Sequence, residues 1–96
     1  MRVEWTAPAL RALEEIQDDV ARDSPAAAGR LAQRIRAAVD GLATFPWRGR
    51  PGRIAGTYEL VIPRTPYTAA YRVRGEIVEV IALIHQARQW PQRFDP

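Results

Sequence analysis

The side chains in this chain that could do chemistry cluster in its second half: His85, Arg88, Arg72, Arg64, Tyr67 and the three arginines Arg48, Arg50 and Arg53. An imidazole with an ordinary pKa near 6.5 can give and take a proton at neutral pH, so His85 could serve as a general acid or base. An arginine close by could hold a phosphate or a carboxylate through its forked donors, which is the role open to Arg88 and Arg72. Each residue also has a plain reading. His85 could instead hydrogen-bond a neighbouring backbone group, and Arg88 could be a solvated surface residue. Arg48, Arg50 and Arg53 sit in PWRGRPGRIAG, where they suit contacts to a phosphate backbone or simply line a solvated loop. Tyr67 and Tyr71 could stack on bases or donate protons, but their period-two spacing also fits a half-buried strand. Trp47 and Trp90 flank the strand half as caps on the core or, if exposed, as docking points for a partner.

Several classes of chemistry have no support. There is no glycine-rich nucleotide loop, no Ser-His-Asp spacing and no carboxylate pair in the strand half. With no cysteine and one histidine, disulfides and zinc-thiolate sites are excluded, and neither a metal nor a cofactor is expected. Without an apolar run of ~18 residues or a charged start leading into an apolar segment, neither a membrane span nor a secretory signal is expected. A cytoplasmic protein is the expectation.

Charge is unevenly spread. Residues 1–47 hold six Arg and seven Asp or Glu, whereas residues 48–96 hold eight Arg and four acids. All 14 basic residues are Arg, with no Lys; a GC-rich genome would explain that usage, but not the segregation. A basic second half implies an anionic partner.

The elements that must position these residues follow from periodicity and caps. Arg2–Trp5 alternates and is long enough for one strand. Thr6 is placed to cap a helix with Pro8 in its first turn, and Leu10, Leu13, Ile16 and Val20 form its apolar face, ending near Arg22. Ser24-Pro25 starts a second helix with Ala28, Leu31, Ile35, Ala38, Val39 and Leu42 inward and Arg30, Arg34 and Arg36 outward, stopped by Pro46. Residues 46–56 read as an irregular loop. Strands are expected at 57–62, 67–73 and 77–84, the last covered on both faces because it is almost continuously apolar, with Arg74-Gly75 as a tight turn. The result is an α+β fold of order β-α-α-β-β-β, a helix hairpin packed on a small, mostly antiparallel sheet, forming one domain over residues 1–96.

That order, the tract GRPGRIAGTYELVIPRTPYTAAYRVRGEIVEVIALIHQARQWP and its H-x-x-R-x-W ending resemble the RelE/ParE superfamily of bacterial toxins from type II toxin-antitoxin pairs. The resemblance implies a toxin silenced by a cognate antitoxin whose acidic, amphipathic segment wraps the basic half, with operator DNA reached only through that antitoxin. It also implies one of two targets. RelE-like members cut messenger RNA on the ribosome with basic residues and a proton-transfer group, which would make His85, Arg88 and Arg72 catalytic. ParE-like members inhibit DNA gyrase, which would leave Arg48, Arg50, Arg53, Arg64, Tyr67 and Trp90 as binding residues. In the RelE pattern an arginine stands early in the third strand, where this chain has Thr68. The RelE lysines before the second strand are also missing, although Arg50 and Arg53 could replace their charge. Arg88 and His85 fit the nuclease pattern, but a histidine ending the last strand is common to ParE-like sequences too. Loss of the arginine at position 68 tips the reading toward the ParE-like branch, since such a charge is worth several kcal/mol to a transition state. A toxin that has lost activity and serves in autorepression is a third possibility.

Overall fold

A computed structural model of the chain describes residues 1–87; Arg88 and Trp90 lie outside the described residues. Strand β1 (Arg2–Trp5) leads into helix α1 (Ala7–Ala21) and helix α2 (Pro25–Asp40), and four strands follow: β2 (Arg50–Pro51), β3 (Tyr58–Val61), β4 (Tyr67–Arg74) and β5 (Ile77–His85). They form one sheet in the order β1-β5-β4-β3-β2, parallel only between β1 and β5. The helix hairpin packs on one face of this sheet.

Both helix starts follow the sequence. Thr6 and Ser24 have extended backbones, and their hydroxyls accept from the amides of Ala9 and Ala27, with proline inside the first turn of each helix. The buried stripe on α1 runs through Ala9 and Leu13, with Ile16 packed against it, while Leu10 is exposed. Helix α2 ends earlier than Pro46 would require. Gly41 closes it and a 3-10 turn over Gly41–Ala43 carries Leu42 into the core.

The sheet departs from expectation in two places. Arg50–Pro51 lies inside the stretch read as irregular, yet it pairs antiparallel with Tyr58 and Glu59 as a fifth strand; pairing with a neighbour overrides the weak propensity of a proline-glycine segment at a sheet edge. The apolar run of β5 is covered on both faces near its middle, where Ile81 and its neighbour strand's Ala70 are buried outside the helix-side core, but it also contains a bulge. Ala70 pairs with Ala82 but Tyr71 pairs with Val80, so Ile81 is an extra residue in β5. That bulge breaks the alternation, letting Val78, Val80 and Leu83 all join the core under the helices. It also ties α1 down, because Thr6 donates from its amide to the carbonyl of Val80 and from its hydroxyl to that of Ile81.

The β3–β4 connection is a β-turn with Pro63 second and Arg64 third. The amide and hydroxyl of Thr65 both donate to the carbonyl of Ile62, and Arg64 has φ of 62°. Glycine or asparagine ordinarily fills such a position, because a Cβ there meets the backbone.

Candidate functional site

His85 ends β5 directly across from Tyr67 on β4, and the two rings meet edge to face at 5.3 Å. The amide of Ala87 donates to His85 Nδ1 at 3.1 Å, so in the neutral ring the proton is assigned to Nε2. One nitrogen therefore serves the local backbone, as the plain reading of this residue required. The half-buried ring lines a cleft of about 500 Å³ whose opposite wall is α1, with Glu15, Asp18 and Asp19 facing in. Arg22 is also there, but it is bonded to Asp19 at 3.0 Å. A phosphate entering this cleft would meet three carboxylates against one guanidinium already paired, an arrangement that repels anions.

Arg72 is nowhere near this cleft. It lies directly opposite Glu79 in the β4–β5 ladder and binds it at 2.6 Å, both side chains about three-quarters buried (27% and 24% exposed). Along β4, Tyr67 and Arg72 are five residues apart, or roughly 17 Å at ~3.4 Å per residue, and odd and even positions face opposite sides. Tyr67 joins the helix-side core, so His85 and Arg72 are on opposite faces of the sheet. Thr68, where the RelE pattern has its arginine, is 1% exposed and accepts from Gln86 Nε2 at 3.4 Å. No charge is present at that point.

The loop arginines are held by a residue that sequence reasoning passed over. The carboxylate of Glu59 is buried, with its side chain 3% exposed. It accepts from the Arg53 amide at 2.9 Å and from Arg50 Nη2 at 3.4 Å, and the Arg53 guanidinium lies 3.6 Å away. A buried carboxylate requires such partners. Arg50 and Arg53 therefore fix the β2–β3 edge, although their exposed guanidinium groups still colour the local field. The signal was in the sequence: Glu59 is the sole acid between Asp40 and Glu76, among six arginines.

Tyr71 organises the segment before β2. Its buried hydroxyl donates to the carbonyl of Pro46 and accepts from the amide of Gly49, both at 2.9 Å. Gly49 is required by close approach, since a Cβ there would sit 2.6 Å from that hydroxyl. The Tyr71 ring stacks on Tyr58 at 5.7 Å, and Tyr58 in turn meets Trp47 edge-on at 5.3 Å. Burial pushes the Tyr71 phenol pKa above its usual value of 10, with the Gly49 bond working against this and Tyr58 adding to it. The pinned segment presents Phe45 and Trp47 to solvent, 56% and 60% exposed, with Arg48 over the Phe45 ring at 4.8 Å. Trp47 thus meets the condition for a docking point and is not a buried cap.

Arg64 is exposed and faces α2 across a second cleft, shared with Arg30, Arg34, Ala38 and Pro63. Among the described residues no group of three or more His, Cys, Asp and Glu side chains is placed to hold a metal ion, and no helix is long and apolar enough to cross a membrane.

Comparison with known proteins agrees with this architecture. The chain is 47% identical to Y4kP of Sinorhizobium fredii (strain NBRC 101917 / NGR234) over 91 residues, covering 95% of this chain and 94% of that one. It is 38% identical over 87 residues to the toxin RelE2 of Caulobacter vibrioides (strain ATCC 19089 / CIP 103742 / CB 15), covering 91% and 97%. A solved chain of the chromosomal ParDE toxin-antitoxin system from P. aeruginosa superposes with a TM-score of 0.80 at 28% identity, covering 88% of this chain and 95% of that chain. The family model for the ParE toxin of the type II toxin-antitoxin system parDE matches residues 3–90. Nearly the whole length falls within that match, including both helices and all of the described strands but for Arg2 at the start of β1, and the chain belongs to the ParE toxin family of type II toxin-antitoxin systems.

Proposed function

We propose that this toxin acts by binding, as a ParE-like inhibitor of DNA gyrase that a cognate antitoxin holds inactive. The observation that carries this reading is the separation of His85 from Arg72 on opposite faces of the sheet. A nuclease needs its proton-transfer group and its phosphate-holding cations within hydrogen-bond reach of one scissile phosphate. Here the histidine opens onto carboxylates, Arg72 is bound to Glu79, Arg50 and Arg53 hold Glu59, and position 68 is a buried threonine. By contrast, a pinned segment with two exposed aromatic rings and an arginine has the composition of an interaction hot spot.

The antitoxin partner is supported by the ParDE relative, which is named for a toxin-antitoxin system. The test is supercoiling of relaxed plasmid by purified gyrase with increasing toxin, alongside ribosome-dependent cleavage of a defined transcript. Inhibited supercoiling with intact transcript is the expected result. Unchanged supercoiling at saturating toxin, with the transcript cut in a manner that needs His85, would overturn it.

A further inference from the structure

We infer that the open edge of β1 pairs with β1 of a second copy of this chain, antiparallel about a two-fold axis through Val3, so that two sheets join into one. The inference does not depend on which cellular target the toxin attacks. Strand β1 ends the sheet, with β5 on one side only. The amides of Arg2 and Thr6 donate to the carbonyls of Glu76 and Val80, and the alternation along a strand then turns the N–H and C=O of Val3 and Trp5 away from β5. Among the described residues nothing bonds those four groups. The other end of the sheet is protected, because β2 is only Arg50–Pro51 and half of it is proline. By contrast, β1 has no proline, and the Met1 ammonium anchors its start by donating to the carbonyl of Ala43 at 2.8 Å.

The charges of the strand identify its occupant. Val3 and Trp5 pack against the helix-side core, whereas Arg2 and Glu4 are exposed on the other face. With Val3 opposite Val3 of the second copy, the two residues exchange both N–H···O bonds, as an antiparallel hydrogen-bonded pair requires. Each Arg2 then stands across from Glu4 of the other copy, and each exposed Met1 side chain across from a half-buried Trp5. Sliding the pairing by two residues in either direction keeps the outward groups face to face, but sets Glu4 against Glu4 or Arg2 against Arg2. Like charges reject both registers. Within one chain Arg2 and Glu4 already bridge at 2.9 Å, and exposed pairs contribute little, so these charges select the register more than they add affinity. The helices fit as well. Strand β5 and its copy would lie three strand spacings apart, roughly 14 Å, which accommodates α1 and its copy packed over them at about 10–12 Å across each.

The test is sedimentation equilibrium of the full chain over roughly 10–500 µM, the range in which so small an interface is populated. A monomer–dimer equilibrium is the expected result. Val3→Pro should weaken it at least tenfold and leave the melting temperature within a few degrees, because the Val3 amide faces away from β5 and an edge strand tolerates proline there. Arg2→Glu and Glu4→Arg should each weaken self-association at least tenfold by bringing like charges together. Mixed in equal amounts, those two variants should pair at least tenfold more tightly than either does alone, and a chain with both substitutions should regain the original association. Hydrogen exchange at the Val3 and Trp5 amides should slow as concentration rises. A chain that stays monomeric throughout, a dimer that Val3→Pro and the charge reversals leave intact, or single variants that fail to pair when mixed would each overturn the proposal. So would Val3 and Trp5 amides already protected at the lowest concentration, which would assign this edge to another segment of the same chain.

Discussion

Replacing Tyr71 with phenylalanine removes one oxygen and should cost this protein a substantial part of its stability. The hydroxyl ties the sheet to the segment that carries Phe45, Trp47 and Arg48, accepting from Gly49 and donating to Pro46 at 2.9 Å each. Phenylalanine fills almost the same volume, so the cavity contribution is small. What remains is an amide and a carbonyl in a partly buried position without partners. An orphaned group costs ~1–3 kcal/mol, discounted here because the site is only partly buried and the segment can shift toward water. The expected loss is about 2 kcal/mol. For a domain of this size each kcal/mol lowers Tm by roughly 4–8 °C, so a fall of about 8–16 °C should appear in a thermal melt followed by circular dichroism. Because the aromatic stack through Tyr58 persists, Trp47 emission should report loosening of the segment before global unfolding. A stability change below about 0.5 kcal/mol, with unaltered Trp47 emission, would refute the argument that this hydroxyl pins the loop.

Glu59→Gln should destabilise by about 1–3 kcal/mol in urea unfolding, because one amide donor must face Arg50 or Arg53 where an acceptor is needed. The Arg50 guanidinium is mostly exposed and its bond to the buried carboxylate is long at 3.4 Å, while the Arg53 amide still serves that carboxylate, so Arg50→Gln alone should cost under about 1 kcal/mol. The raised pKa of Tyr71 means that the folded state disfavours its phenolate; this contribution is complete below the unfolded value near 10 and is lost as pH climbs through the folded value. Stability should therefore fall above about pH 10, and the slope should be shallower in Tyr71→Phe when melts are compared between pH 8 and 11. His85→Ala should keep gyrase inhibition within about twofold, since its ring is committed to the Ala87 amide and to Tyr67, and a loss of a hundredfold or more would return it to catalysis. Trp47→Ala should leave the melting temperature within a few degrees because the ring is mostly exposed, while weakening gyrase inhibition at least tenfold.

Local chemistry is what the sequence alone could determine. Ser24-Pro25 and Thr6 with Pro8 announced both helix starts, because a cap is satisfied within four residues of itself. The alternation of Tyr67, Ala69, Tyr71 and Val73 placed them on one face. The order of elements, the family resemblance and the basic second half were equally legible. Tertiary structure decided how charges separated by many residues meet. Nothing local pairs Glu59 with Arg50 and Arg53, or Arg72 with Glu79; strand register does. The same holds for β5, where one extra residue against β4 makes a bulge that no local pattern announces. Arg48, Arg50, Arg53, Arg64 and Arg72 are identical letters in the sequence, yet the fold gives them different work. Arg50 and Arg53 brace a buried carboxylate, Arg72 closes a ladder pair, Arg48 caps an aromatic ring and Arg64 faces an open groove. The physical reason is that a guanidinium's role is set by its immediate surroundings, and for all of these except Arg48, whose ring partner is three residues away, those surroundings come from another element of the fold.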